Sequence, residues 1–242
     1  MKIKILFNST KDWAKRLYPE VKAYLEGKGY GIVNKDCDAT VIIGGDGTIL
    51  YHKKGIEGIL IGIGSKRSGI CQLRKENWKS GIMKILCSKP EKVSTLKLVI
   101  NKKTYFAINE IVVRNRDFRA IHTTVKHGGK TFKFFGDGVL VCTRIGSTAY
   151  NRSLLGPIFN KDRMCITPIA EISRNRKSIV LNYSDIGIKT LEKACCIIDG
   201  IEIIDSGKKI KIEKGKCLLY GSLFGKAPFF LEKRNPSMGK KN

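Results

Sequence analysis

No apolar run in this 242-residue chain reaches the roughly 18 residues that a membrane-spanning helix needs. The amino terminus, MKIKILFNST, has only Ile5, Leu6 and Phe7 between its second lysine and a polar stretch, too little for the apolar region of a secretory signal. The expectation is a cytoplasmic protein with no membrane partner. No CxxC pair and no Cys/His spacing of a zinc site occurs among the eight cysteines, at 37, 71, 87, 142, 165, 195, 196 and 217; they stand mostly in strand-like apolar surroundings and read as buried reduced thiols. The nucleotide signatures GxxxxGK[ST] and strand-GxGxxG are both missing, which removes the P-loop and the dinucleotide fingerprint as explanations. Acidic residues are scarce, 21 against 46 Lys and Arg, for a net charge of +25. Such an excess concentrates polyanions, whether nucleic acid, nucleotide or polyphosphate. The charge is spread along the chain, without a basic block interleaved with aromatics, so a dedicated nucleic-acid partner is not expected. No internal repeat is found.

What is present suits one large domain or two small ones, with 42% hydrophobic residues to bury. The first ninety or so residues alternate strand and helix patterns. KIKILF, ATVIIGG and GILIGIG read as strands, and Lys11 to Gly27 carries Trp13, Leu17, Val21 and Leu25 at helical spacing, with Pro19 expected to kink or divide that helix. Near-continuous apolar strands separated by helices predict a parallel sheet covered on both faces. After SKPEK near residue 90 the texture changes to short β-rich segments (STLKLVIN, KTYFAINEIVVRN, AIHTTVKHG, KTFKFFGDGVLVCT, KSIVLNY, ACCIIDGIEIID, KKIKIEK) separated by turn residues, the pattern of an antiparallel all-β domain. The expected division is residues 1–92 as an α/β domain, 93–221 as a β-rich domain, and 222–242 as a closing segment, SLFGKAPFFLEK, with a disordered tail.

The chemistry is signalled first by VIIGGDGTIL, residues 41–50. Glycines after a buried strand let backbone N–H groups approach an anion closely, because no Cβ intervenes and positive φ is available. An aspartate among them would repel phosphate unless it takes a proton, orients a hydroxyl or holds a cation. The combination suggests phosphoryl transfer to an alcohol. On these residues alone, an Asp-Gly turn that merely closes a strand reads equally well. A second stretch, GDGVLVCTRIGSTAYNRSLLGPI at 136–158, carries Asp137 and then small residues and hydroxyls beside Tyr150, a plausible cradle for a nucleoside.

GGDGT, the dipeptide Asn109-Glu110, and the string DGVLV, GSTAYN, GPI, in this order and spacing, resemble the NAD kinase family, from the first strand to at least Gly200. The resemblance implies a Rossmann-like parallel α/β domain packed against a β-sandwich domain, NAD bound in the cleft between them, and a closing segment that returns to the first domain. It implies transfer of the γ-phosphoryl group of ATP, with Mg²⁺ as the divalent ion, to the 2′-hydroxyl of the adenosine ribose of NAD. Inorganic polyphosphate is a second donor to consider, and a homo-dimer or tetramer is implied.

By the same resemblance Asp46 is the proton acceptor for that hydroxyl, an assistance typically worth about 10²–10⁴ in rate. Gly44, Gly45, Gly47 and Thr48 form the phosphate-facing loop. Asn109 and Glu110 contact the ribose; Thr148, Ala149, Tyr150 and Ser153 match adenine-side and nicotinamide-side contacts, with Tyr150 the stacking residue; Asp137 matches a carboxylate that contacts NAD, in some members from the neighbouring subunit. No residue is assigned to a resident metal. Lacking a P-loop lysine, the site needs other cations, and Lys66 and Arg67 in GIGSKRSG are candidates for the triphosphate side.

The chain departs from the family pattern at Cys142, Arg144 and Ile145 in CTRIGSTAY, at Leu154 and Leu155 after Ser153, at Gly64 and Ile70, and at Ile201 after Asp199-Gly200. These leave Asp46 and the Asn-Glu pair intact. Two other readings compete: a lipid or sphingoid kinase, which shares GGDGT but leaves GSTAY unexplained, and a non-catalytic NAD-binding or nucleic-acid-binding protein of the same fold.

Overall fold

The computed structural model describes residues 1–100, 102–172 and 177–222. The closing segment expected at 222–242 lies outside the described residues beyond Ser222. Among those described, the amino-terminal part runs β1 (Lys2–Phe7), α1 (Asp12–Gly27), β2 (Gly31–Ile32), β3 (Ala39–Ile43), α2 (Asp46–Tyr51), a 3-10 turn (Lys53–Gly55), β4 (Ile59–Gly64), β5 (Leu73–Arg74) and α3 (Trp78–Leu86). Strands β2, β1, β3, β4 and β5 pair in that order, all parallel. Strands β3 and β4 are buried at every position, as continuous apolar runs in a doubly covered parallel sheet must be. Helix α1 lays Ala14, Leu17, Val21 and Leu25 onto the sheet, the leucines and the valine each contributing about 1.5–3 kcal/mol when fully buried. Pro19 does not divide α1. It stands on the exposed face, where the carbonyl that its missing N–H would have paired with is open to solvent and not buried.

From Glu91 onward the chain is β-rich: β6 (Glu91–Ile100), β7 (Lys103–Ala107), β8 (Glu110–Asn115), β9 (Ile121–His127), β10 (Lys130–Gly136), β11 (Gly138–Cys142), a 3-10 turn (Gly146–Thr148), the single-turn α4 (Tyr150–Ser153), β12 (Met164–Ile169), β13 (Ile179–Leu181), β14 (Ile186–Ile198) and β15 (Glu202–Tyr220). Here every pairing is antiparallel, in the order β13-β12-β11-β8-β14-β15, with the β6-β7 hairpin on β15 and the β9-β10 hairpin on β14. A core of residues such as Leu96, Ile111, Val125, Val141, Ile166 and Ile188 fills this part, and a separate core of Ile3, Val21, Val41, Ile61 and Ile82 lies under the helices. The two parts are stitched together where the end of β15 pairs parallel with β4, Leu219 to Ile59 and Tyr220 to Leu60. An α/β layer followed by an antiparallel β-rich part is the expected fold class.

Eight cysteines are free; Cys71, Cys142, Cys165, Cys195 and Cys196 are buried. Cys87 and Cys217 are exposed, against the expectation of burial, because Cys87 caps the solvent end of α3 and Cys217 lies in β15 where its register against β6 shifts. Among the described residues no helix is long and apolar enough to cross a membrane.

Candidate functional site

In a parallel sheet, ligands collect outside the carboxyl ends of the strands, and the loops after β1, β3 and β4 meet there. The backbone joins them directly: Asn8 N–H donates to the Ile43 carbonyl at 2.8 Å and Gly44 N–H to the Ile63 carbonyl at 3.0 Å. The two glycines that follow β3 are required by geometry. A Cβ on Gly44 would lie 2.3 Å from Thr48 Oγ1, and Gly45 holds φ at +102°, where an L side chain is strained. Gly45 also leaves a niche: a Cβ there would point between Ser68 Oγ at 3.1 Å and the Lys11 ammonium at 3.8 Å.

Asp46 is the first residue of α2, and its carboxylate is fixed by the loop after β4. Gly69 N–H donates to Oδ2 at 2.5 Å, and the N–H groups of Ile70 and Cys71 donate to Oδ1 at 2.9 and 3.2 Å. A carboxylate offers about four acceptor sites, so one remains, on Oδ2. A Cβ on Gly69 would sit 3.5 Å from that oxygen and 3.6 Å from Thr148 Oγ1, so the bare glycine keeps open a space flanked by both. Gly47 and Thr48, expected in the loop, belong to the first turn of α2. Gly47 faces open space, while Thr48 is buried and its hydroxyl accepts from Asn8 Nδ2 at 3.3 Å.

A cavity of about 130 Å³ contains Asp46, Arg67, Gly69, Ile70, Asn109, Thr148, Ala149 and Arg152. Asn109 is buried and its Oδ1 has no hydrogen-bond partner among the described residues, an acceptor left ready for a donor at a cost no packed core would carry without return. The GST turn is pressed onto Asn109: a Cβ on Gly146 would stand 2.0 Å from the Asn109 carbonyl oxygen, and Thr143 N–H donates to that oxygen at 2.8 Å.

A second cavity of about 150 Å³ is lined by Glu110, Val112, Arg114, Asp137, Tyr150, Ile169, Ile197 and Gly200. Glu110 Oε2 is buried and likewise unpaired. Burial, and then the charge of Asp199, push the Glu110 carboxyl up to about 8, so near neutrality it carries a proton and can donate it. Tyr150 lines this cavity and is 41% exposed. Of the sequence-predicted residues, Asp46, Asn109, Thr148 and Ala149 come together in the first cavity and Glu110, Asp137 and Tyr150 in the second. Ser153 lines neither and is exposed.

Residues 83–217 match the family profile described as the ATP-NAD kinase C-terminal domain. An NAD kinase of Fusobacterium nucleatum is 34% identical over 201 residues, 75% of this chain and 74% of that protein. The chain belongs to the NAD kinase family. An NAD kinase of Sulfurisphaera tokodaii is 30% identical over 79% of either chain. Two solved structures share the fold: an NAD kinase from Archaeoglobus fulgidus in complex with ATP, TM-score 0.81 at 23% identity over 93% of this chain and 94% of that one, and a yeast NADH kinase complexed with NADH, TM-score 0.71 at 17% identity over 92% and 83%.

Several residues of this NAD kinase site carry no mark of their role in the sequence. Arg152 lines the first cavity beside Arg67, whereas Lys66 does not reach it. Lys11 donates to the Gly44 carbonyl at 2.6 Å, on a loop with no motif to mark it. Asn151, wholly buried, holds the GSTAY segment to the following GPI by donating to the carbonyls of Ser147 and Pro157 at 3.3 and 2.9 Å. The departures are mostly harmless to the cavities: Leu155 is 94% exposed, and Arg144 turns inward to pair with Glu91 at 2.6 Å.

Proposed function

We propose that this chain transfers the γ-phosphoryl group of MgATP to the 2′-hydroxyl of the adenosine ribose of NAD, and that the first cavity is where the hydroxyl meets the phosphorus. What carries the reading is the Asp46 carboxylate: three backbone N–H bonds fix its direction, and the single acceptor site left on Oδ2 opens toward a space shared with Asn109 and two arginines. A carboxylate is too weak a base to ionise a sugar hydroxyl outright. Asp46 therefore orients the hydroxyl and takes its proton as the oxygen–phosphorus bond forms and the bond to ADP breaks.

In this reading Asn109 Oδ1 accepts from a ribose hydroxyl and the protonated Glu110 donates to a ribose or phosphate oxygen, so that each buried polar atom gains the partner it lacks. Arg67, Arg152 and Lys11 supply the positive charge that a P-loop lysine supplies elsewhere. The divalent ion belongs to the substrate, chelated by the triphosphate, since Asp46 has only one acceptor site to spare. The second cavity, with Tyr150 and Asp137, takes the other half of the dinucleotide. Inorganic polyphosphate is proposed as a second donor on the same basic side, and a cytoplasmic homo-oligomer completes the proposal. The test is incubation of purified protein with NAD⁺, Mg²⁺ and either ATP or polyphosphate, with NADP⁺ read by an NADP-dependent dehydrogenase. NADP⁺ formation with either donor is the expected result; none from folded protein with both refutes the proposal.

A further inference from the structure

Resting on the kinase reading above, we propose that Lys53 and Asp199 are positioning residues: a buried clamp that sets the Asn109-Glu110 dipeptide at a fixed distance and angle from Asp46. Asp199 stands in the turn between β14 and β15 in a left-handed conformation, φ +52°, and its side chain is wholly buried. All four of its acceptor sites are taken. Oδ1 accepts the N–H groups of Asn109 at 2.8 Å and Glu110 at 3.2 Å; Oδ2 accepts Ile108 N–H at 3.1 Å and the Lys53 ammonium at 2.9 Å. The Asp199 N–H returns a bond to the Glu110 carbonyl at 3.0 Å. Three consecutive N–H groups of the backbone that presents Asn109 and Glu110 thus converge on one carboxylate.

Lys53 reaches that carboxylate from the other side. It opens the 3-10 turn directly after α2, the helix whose first residue is Asp46. Its side chain is 3% exposed, its ammonium lies 5.7 Å from the Phe106 ring centre, and it holds Glu202 as well, at 3.1 Å. The bond from Lys53 to Asp199 therefore joins segments 146 residues apart, and the line Asp46, α2, Lys53, Asp199, Asn109 ties together two sides of one cavity. A buried ion pair is weak evidence of stability, because its desolvation offsets its attraction. An apolar pair would fill the same space but could not accept three backbone N–H groups or fix their direction. Misplacing reacting groups by about 1 Å costs on the order of 10² in rate.

The clamp also sets the charge around Glu110. Facing that carboxyl are Asp199 from the β14–β15 turn, Cys142 from β11, and Arg114 and Asp137 across the second cavity, with Lys53 and Glu202 behind Asp199. Asp199 pushes the Glu110 carboxyl up, while Lys53 neutralises Asp199 from the side away from Glu110.

The test uses the whole chain in the variants Asp199→Asn and Lys53→Met. Asp199→Asn leaves Lys53 paired with Glu202 and keeps Oδ1 for two of the N–H groups. With MgATP and NAD⁺ as probes, kcat is expected to fall by about 10²-fold while the dissociation constant for NAD⁺ changes far less. The split between kcat and NAD⁺ affinity is the readout that a role in stability alone would not give; NMR of ¹³C-carboxyl-labelled glutamate reports in addition whether the Asp199 charge reaches Glu110, whose midpoint falls in Asp199→Asn. Folded variants with wild-type kcat, or with kcat lost only in step with NAD⁺ affinity, overturn the proposal. If either variant does not fold, the double variant Lys53→Met/Asp199→Asn, which leaves no lone buried charge, takes its place and must show the same loss of kcat. If that too does not fold, the pair is a folding element and the proposal falls. Wild-type protein that makes no NADP⁺ overturns the kinase reading and the clamp together, whereas wild-type turnover beside variants that match it overturns the clamp alone.

Discussion

Replacing Glu110 by glutamine removes a titration that the fold makes expensive. The Glu110 side chain is buried, its Oε2 has no partner among the described residues, and its carboxyl is pushed from 4.5 up to about 8, first by burial and then by Asp199. Between those two values the folded chain keeps a proton that the unfolded chain has lost. Stability is therefore fully present below about pH 4.5, declines as pH rises, and levels off above about pH 8. Each pH unit of difference corresponds to about 1.36 kcal/mol, so the decline from this one group is on the order of 5 kcal/mol, as much as the entire stability of a marginal domain. Glutamine has nearly the same shape and cannot titrate. Urea unfolding of both proteins at intervals from pH 5 to pH 9 isolates the effect, because every other group cancels in the difference. The wild type is expected to lose several kcal/mol relative to Glu110→Gln across that range, with the variant the more stable at pH 9. Parallel curves would refute the reasoning and mean that Glu110 is ionised and paired in the folded protein.

Gly146→Ala places a Cβ 2.0 Å from the Asn109 carbonyl oxygen, a backbone clash that cannot relax by a rotamer change; a loss of about 3 kcal/mol or more is expected, read as a drop of roughly 6–12 °C in Tm. Gly47→Ala is the control, since its Cβ meets open space inside α2, and it should gain about 0.5–1 kcal/mol. Arg152 is exposed and lines the first cavity, so Arg152→Met should leave Tm unchanged and raise KM for MgATP about tenfold; an unchanged KM would return Arg152 to the solvated surface. With a thiol reagent, Cys87 and Cys217 should react at once in native protein, and the five buried cysteines only on unfolding.

Much of this was legible in the sequence, and what was not has physical reasons. GGDGT announced itself because Gly44 and Gly45 answer to backbone geometry, which only glycine meets there. The alternation of β1, α1, β3 and β4 follows from apolar spacing. Strand β12 carries Pro168, which argues against a strand in the sequence, and α3 is too short to stand out although Trp78, Ile82 and Ile85 share its buried face. Segments read as separate, IEIID and KKIKIEK, form one strand, β15, because Gly207 and Gly215 mark bends within it rather than its ends. The pairing of Lys53 with Asp199 was illegible, since nothing in either local sequence predicts a partner so far along the chain; only the topology brings them together. Lys66 and Arg67 looked equivalent as neighbours in a basic loop, yet only Arg67 lines the cavity.

Asp46 serves the hydroxyl and not the binding of the dinucleotide in the proposed reaction. The most direct test of this role is Asp46→Asn measured twice, by NADP⁺ formation from NAD⁺ and MgATP and by NAD⁺ binding in calorimetry. The expected result is a fall in kcat of at least about 10²-fold with NAD⁺ affinity retained. Retained turnover in the variant, or lost turnover that merely tracks lost NAD⁺ binding, would contradict it.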